Sequence, residues 1–179
     1  MSEKTRVASD AIAPAGRFLD YVFPIDTFNG PLQDPTNSRA EYLIQTPIKF
    51  IGEGATSVIR PDGTEVGSIK WGSLLEYIMV TLHGETGQGS RILKTVSDGL
   101  FKENKRVWVD DWGNEFYWKT NLCHNAEDQI VARYVRGKKH TFRTNEPAWL
   151  SVDSNYLPLF DHILFTAIII EHEVRADED

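Results

Sequence analysis

The sequence is poor in several residue types, and each shortage narrows its class. A single cysteine, Cys123, among 179 residues excludes a disulfide-stapled scaffold. Thirteen glycines and eight prolines are too few for a collagen-like or low-complexity chain. Basic residues are in deficit, 19 Lys and Arg against 26 Asp and Glu, and the net charge of −7 argues against a nucleic-acid partner held by general positive charge. Residues 1–16 carry Glu3, Lys4, Arg6 and Asp10 and lack the apolar core of a secretory signal, and no Asn-x-Ser/Thr sequon occurs. Both features point to an intracellular, cytoplasmic protein. The histidines, His83, His124, His140, His162 and His172, show no His-x-x-x-His spacing and there is no Cys-x-x-Cys, so no metal is expected; no cofactor is expected either.

What is present is the composition of one globular domain. The chain is 41% apolar and 11% aromatic, enough to bury about 70% of its unfolded surface. Its negative charge is unevenly spread. The last nine residues, 171–179, hold five acids and one base, so more than half of the excess sits at one end. Residues 1–16 read as a mobile leader, 17–172 as a single domain and 173–179 as an acidic tail.

Between residues 18 and 152, short apolar or alternating segments recur between turn residues, which is a β signature. The candidate strands are 18–23, 48–51, 56–60, 65–71, 77–82, 91–94, 106–109, 115–119, 129–135, 140–143 and 148–152. Pro61-Asp-Gly63, Trp112-Gly-Asn114 and Arg136-Gly-Lys138 carry turn chemistry, so successive strands should be antiparallel neighbours. Residues 24–47, with Asn29-Gly-Pro31, Asp34-Pro35 and Asn37, read as a long irregular excursion.

The period then changes. From Tyr156 to Ile170, eleven of fifteen residues are apolar, Asp153 or Ser154 can cap, and Pro158 fits a first helical turn, which predicts a helix over about 155–172. Its apolar residues leave only Asp161, His162 and Thr166 as a narrow polar strip, and a helix apolar all round must be buried all round. The run is short for a membrane span and holds an acid, so no transmembrane segment is expected. A curled antiparallel sheet is the natural enclosure. The predicted fold is mainly β, a closed antiparallel β-barrel around a central hydrophobic C-terminal helix.

Phe116-Tyr-Trp-Lys119, Ile130-Val-Ala-Arg-Tyr134 and the closing Leu159-Phe-Asp-His-Ile-Leu-Phe-Thr-Ala-Ile-Ile-Ile-Glu171 stand in the order of such a barrel. Over roughly residues 48–172, by strand count and order, the chain resembles the Tubby C-terminal-like and LURP-one-like superfamily and looks like one of its uncharacterised fungal members. The resemblance implies the barrel-and-helix fold and, by analogy with better-known relatives, an association with phosphoinositides or membranes.

Two constellations carry candidate chemistry. From Gln129 to Asn145 there is no acid, while Arg133, Arg136, Lys138, Lys139 and Arg143 accumulate with His140, and Arg136-Gly-Lys-Lys139 reads as a hairpin tip that Lys102, Lys105 and Arg106 would extend. Cations on exposed stems suit an anionic lipid headgroup. A solvated turn with edge-strand lysines is the plainer alternative. On this reading the protein is a non-enzymatic binding module, intracellular and peripheral at a membrane. The second constellation is Asp161 and His162, where an ionisable pair on an enclosed helix is either satisfied by hydrogen bonds or faces a cavity as an acid/base group. That reading makes the protein a small-molecule enzyme of isomerase or cyclase type, or a ligand-binding protein, with its pocket at the barrel mouth. Asp110-Asp111 is a weaker acid/base candidate, and the aromatic run Trp108–Trp118 reads as core and wall.

Two further motifs fail. Gly84-Glu-Thr-Gly-Gln-Gly-Ser90 lacks the Lys and the following helix of a phosphate-binding loop, and reads as a flexible hairpin loop. Cys123-His124 lies where adjacent side chains of a strand point apart, so Cys123 reads as a buried structural residue.

Overall fold

The computed structural model describes residues 16–47, 54–72, 78–97, 104–138 and 144–176. Strands β1 (Phe18–Phe23), β2 (Gly30–Asp34), β3 (Arg39–Gln45), β4 (Ala55–Ile59), β5 (Glu65–Lys70), β6 (Met79–Leu82) and β7 (Glu85–Gln88) lead to a single helical turn, α1 (Gly89–Ile92). Strands β8 (Lys94–Val96), β9 (Lys105–Val109), β10 (Glu115–Lys119), β11 (Leu122–Asn125), β12 (Ile130–Val135) and β13 (Ala148–Asp153) follow. A 3-10 segment (Ser154–Leu159) then runs into α2 (Phe160–Ala176).

All thirteen strands form one antiparallel sheet in the order β7-β6-β5-β4-β3-β2-β1-β13-β12-β11-β10-β9-β8. Neighbours are consecutive in sequence except β1 and β13, which pair from Phe18↔Asp153 to Phe23↔Ala148. The first half of the chain therefore meanders outward to β7, and the second half returns from β8. Among the described residues β7 and β8 do not pair, so the ladder is open between them. Laid flat, thirteen strands would span about 55–60 Å at the usual strand spacing. The two edges are joined by the few residues from Gln88 to Lys94, which reach about 20 Å at most. The sheet must curl to bring its edges that close.

The curl encloses α2. Ile163, Leu164, Phe165, Ala167, Ile168 and Ile169 are buried around its whole circumference against Leu32, Ile44, Val58, Ile69, Trp118, Val131 and Leu150 of the same core. Each fully buried Leu, Ile or Phe contributes about 1.5–3 kcal/mol. Gly67 on β5 permits a close approach: a Cβ there would lie 2.1 Å from the Thr81 carbonyl oxygen and 2.9 Å from the Phe165 ring. The one mid-helix hydroxyl is satisfied, with Thr166 Oγ1 accepting from Trp118 Nε1 at 2.9 Å and donating back to the preceding turn.

Several expectations need correction. Residues 24–47 hold the β2–β3 hairpin, whose tip is built by Asp34: its carboxylate accepts from Thr36 N, Thr36 Oγ1 and Asn37 Nδ2. The residues that looked irregular are the turn chemistry of a hairpin. Residues 91–94 are mainly the α1 turn, because Gly89 N donates to Ile78 O and Leu93 N to Gly89 O, closing a helical bond. Residues 84–90 form β7 and the start of α1, with strand pairing to β6 from Leu82↔Glu85 to Met79↔Gln88. Arg136-Gly-Lys138 is not a hairpin tip, since Lys138 bridges Glu146 and carries the pairing onward. The helix begins as 3-10 around Pro158 and continues to Ala176, so Glu173 and Arg175 belong to α2. Of the leader read over 1–16 only Gly16 is described, its N–H donating to Asp153 at 3.1 Å; residues 1–15, the candidate strands 48–51 and 140–143, and 177–179 lie outside the described residues.

Candidate functional site

The first turn of α2 collects polar groups from three hairpins. Asp161, largely buried, accepts from Tyr42 Oη at 2.6 Å, from an Arg60 guanidinium nitrogen at 2.8 Å and from His83 Nε2 at 2.8 Å. Tyr42 lies on β3, Arg60 follows β4, and His83 occupies the turn between β6 and β7. That turn has two residues, His83 at φ 49° and Gly84 at φ 86°. Two successive positive φ values define a type I′ hairpin, which glycine adopts freely and which histidine tolerates better than most side chains. The strained backbone aims the imidazole at the helix. Burial, and then the Asp161 carboxylate, raises the pKa of Tyr42, so the phenol remains a donor.

His162 is the next residue of the helix. Its ring stacks parallel to Trp108 at 5.7 Å and meets the His83 ring edge-on at 5.7 Å. Nε2 lies 3.5 Å from Asp111 Oδ1 in the β9–β10 turn. Together His83 and His162 border a cleft of about 340 Å³ whose other polar groups are Glu85, Thr86, Arg91 and Asp111. Leu82, Ile92 and Val109 supply its apolar wall. Acceptors, donors and hydrocarbon thus converge on one concavity. This volume falls within the range of small-molecule pockets, about 300–1,000 Å³. A carboxylate only accepts hydrogen bonds, so Nε2 of His83 carries the proton it gives to Asp161, and in the neutral form of the ring Nδ1 is an acceptor.

The polar strip therefore contains two different environments. Asp161 is engaged by three donors and serves as an anchor, whereas the imidazoles of His83 and His162 line the cleft. Sequence reasoning singled out Asp161 and His162 and missed His83, Tyr42, Arg60 and Arg91. Gly84, able to take the positive φ of a hairpin turn, is the local sign of the turn, since the β7 segment after it has no strand pattern.

The basic segment is dispersed. The Arg133 guanidinium lies over the Phe18 ring at 4.6 Å. Arg136 Nε is 2.8 Å from Oε2 of Glu171, whose side chain is 2% exposed. Lys138 Nζ is 3.7 Å from Glu146 Oε2. Lys139, His140 and Arg143 lie outside the described residues, as does Lys102. Lys105 sits over the Tyr117 ring, and Arg106 pairs with Glu173 and donates to Thr95. Glu171 also accepts from Arg175 at 2.6 Å, and Arg175 reaches Asp26 at 3.2 Å, so the C-terminal half of α2 is tied to the sheet by ion pairs.

Cys123 is buried, and burial pushes its thiol up to about 12, which keeps it protonated and unreactive. His124 lies on the opposite face, stacked on Tyr117 at 5.0 Å. Among the described residues no group of three or more His, Cys, Asp or Glu is placed to hold a metal, and no helix is long and apolar enough to cross a membrane.

The model of a family of unknown function, DUF6593, matches residues 25–176. No curated protein and no solved structure matches the chain.

Proposed function

The chain belongs to the DUF6593 family, whose function is unknown, and on the geometry alone we propose that it is a small-molecule-binding domain whose site is the cleft at the N-terminal end of α2. The observation that carries this reading is the meeting of the His83 and His162 rings, from turns 79 residues apart, on the wall of one cavity with both polar and apolar sides. A compound of modest size with one hydrogen-bonding face and one hydrocarbon face fits that lining. Arg91 and the imidazoles would take its acceptors, Glu85 and Asp111 its donors, and Leu82, Ile92 and Val109 its apolar side.

A second reading, acid/base catalysis of isomerase or cyclase type, is favoured by one contact, the 2.8 Å bond that holds the His83 ring to Asp161. An imidazole with its tautomer set by a carboxylate and its other nitrogen as acceptor is equipped to take a proton from a bound substrate. The lipid-headgroup role for the basic segment has less support, because Arg133, Arg136 and Lys138 each have an internal partner.

The same proposal extends to the fold. The sheet closes as a barrel around α2, related to the Tubby C-terminal-like and LURP-one-like proteins. Two features support this: the edge strands are bridged by the single turn α1, and α2 is buried on all sides.

Ligand-observed NMR with a library of small amphipathic compounds tests the function. Binders are expected whose signals are lost with His83→Ala and weakened with Arg91→Ala. Compounds that bind both variants as they bind the parent, or a library with no binders, would overturn the reading. In parallel, Lys138→Glu is expected to leave co-sedimentation with phosphoinositide liposomes unchanged.

A further inference from the structure

A second cleft lies on the other side of the β9–β10 turn, and it is chemically unlike the first. Its volume is about 600 Å³, again within the range of small-molecule pockets, about 300–1,000 Å³. Phe116, Tyr156, Pro158 and Leu159 supply its apolar lining, and Asn114, Glu115, Glu127 and Asn155 are among its polar groups. Among the described residues no Lys, Arg or His lines it. A phosphate or carboxylate ligand would find no cation among these residues and three carboxylates, Asp110, Glu115 and Glu127, against it. The site therefore selects for a neutral or cationic ligand.

Both walls of this cleft are stiff. On one side the buried Asp110 builds the β9–β10 turn, its carboxylate accepting from Trp112 N, Asn114 N and Asn114 Nδ2 at 3.0, 2.8 and 2.8 Å. On the other, the buried Asn125 builds the β11–β12 turn: Oδ1 accepts from Glu127 N and Gln129 N, and Nδ2 donates to Gln129 Oε1 and to Tyr156 Oη. Tyr156 in turn packs edge-on against Phe116 at 6.0 Å. These bonds leave the loops little freedom to close over the cavity, so its shape is set before any ligand arrives.

Trp112 stands at the lip. Its backbone is fixed by Asp110, yet its side chain is 71% exposed, the most exposed tryptophan among the described residues. A large indole exposed to solvent on an anchored backbone, beside a cavity lined by amides and carboxylates, offers a flat apolar face next to planar hydrogen-bonding groups. A sugar ring presents the matching surface, with axial C–H groups on one face and hydroxyls, each both donor and acceptor, around its edge. The indole face covers the C–H groups and the carboxylates and amides take the hydroxyls.

We propose that the Trp112 cleft is a carbohydrate-binding site, in which a neutral pyranose stacks on Trp112 while Asn114, Glu115 and Glu127 bond its hydroxyls. The site is independent of the His83 cleft: Asp111 faces that one, and the next residue, Trp112, faces this one.

The test uses the full chain and free oligosaccharides of glucose, of N-acetylglucosamine and of mannose, with tryptophan fluorescence and isothermal titration as readouts. A high-mannose glycoprotein serves as a separate arm that distinguishes free sugars from protein-linked glycans. At least one saccharide series, free or protein-linked, is expected to bind with a blue shift in emission. Trp112→Ala should weaken it about tenfold or more, as loss of an aromatic anchor does, and Trp112→Phe should retain part of the affinity. Glu115→Gln and Glu127→Gln, which keep hydrogen-bonding groups, should change it only a few-fold. Circular dichroism melts confirm that the exposed-site variants fold. Absence of binding across all three series and the glycoprotein overturns the proposal, and so does saccharide binding that Trp112→Ala leaves intact. Binding of tetramethylammonium in preference to every sugar, abolished by the two Gln substitutions together, overturns it in favour of a cation site.

Discussion

Nε2 of His83 lies 2.8 Å from Oδ2 of Asp161, although 78 residues separate the two. The contact joins a hairpin turn to the first turn of the enclosed helix. It exists because β5, β6 and β7 pair in sequence order and the sheet curls over the N-terminal end of α2. Arg60 and Tyr42 arrive at the same carboxylate from the neighbouring hairpins. The anchor therefore fastens three separate loops to the core at one point.

Asp161→Asn should loosen all three. The substitution keeps size but removes the charge that Arg60 and His83 address, at a cost of about 2 kcal/mol after allowing for their partial exposure. For a domain of this size the melting temperature should fall by about 4–8 °C. Thermal denaturation checks it, and an unchanged melt would mean the cluster contributes no net stability.

Glu171→Gln should cost more than Arg136→Met. Glu171 is buried and serves Arg136 and Arg175 together, so its neutralisation leaves two guanidiniums without their shared partner. Arg136→Met leaves Glu171 paired with Arg175 and keeps the apolar contact of the stem. About 2 kcal/mol is expected for the first change and less for the second, from urea unfolding at neutral pH. The reverse order would show that Arg136 is the dominant partner.

Gly67→Ala should be among the most damaging single substitutions. The added methyl would meet the Thr81 carbonyl at 2.1 Å, and backbone on a paired strand cannot retreat. A loss of about 3 kcal/mol, or failure to accumulate as soluble protein, is expected. Gly63→Ala, at φ 87° in open space, should cost about 1 kcal/mol for its conformation alone. Equal stabilities of the two variants would count against the close approach of β5 to the Thr81 carbonyl on β6 and to the Phe165 ring of α2.

Acidification should act through His172. Its ring stacks on Trp71 at 4.0 Å, and its Nδ1 is buried with no hydrogen-bond partner among the described residues. Burial lowers its pKa, with Arg175 acting in the same direction and Glu173 opposing. The folded state thus holds the neutral ring while the unfolded chain takes up a proton first. Near neutral pH both states hold the neutral ring and protonation contributes no cost. As pH falls below about 6.5, the ordinary histidine value, stability is lost until the folded-state pKa is passed. Melting temperatures from pH 7.5 to 5 should fall less steeply for His172→Phe, which keeps the stack. Identical slopes would remove His172 as the cause.

How far the sequence reaches can be seen element by element. Strands β1, β4, β5, β10, β12 and β13 follow alternation or dense β-branched and aromatic residues, and α2 follows from an apolar run with no polar face. Strand β2 contains Pro31 and β7 reads Glu-Thr-Gly-Gln, so neither has a local signature. Their pairing is imposed by neighbouring strands, whose backbone groups would otherwise be left without partners. In the site, Asp161 and His162 stand out as polar residues on an apolar helix. Nothing local marks Arg60 or Tyr42, because each is an ordinary surface residue until the hairpins converge.

The sequence by itself determined that a helix apolar on every side must be enclosed, and that the material for the enclosure is a long series of short strands. Periodicity suffices for that, since burial of hydrocarbon depends on pattern and not on partners. Only the tertiary structure decided which polar groups meet. Arg133, Arg136 and Lys138 look like one basic patch along the chain, yet they are drawn to Phe18, Glu171 and Glu146. Electrostatic and hydrogen-bonding partners act over a few ångströms, and the curl of the sheet sets those distances. The same holds for the one cysteine with which the sequence is so sparingly supplied: its composition excluded a disulfide, and its burial within the sheet is what makes it inert.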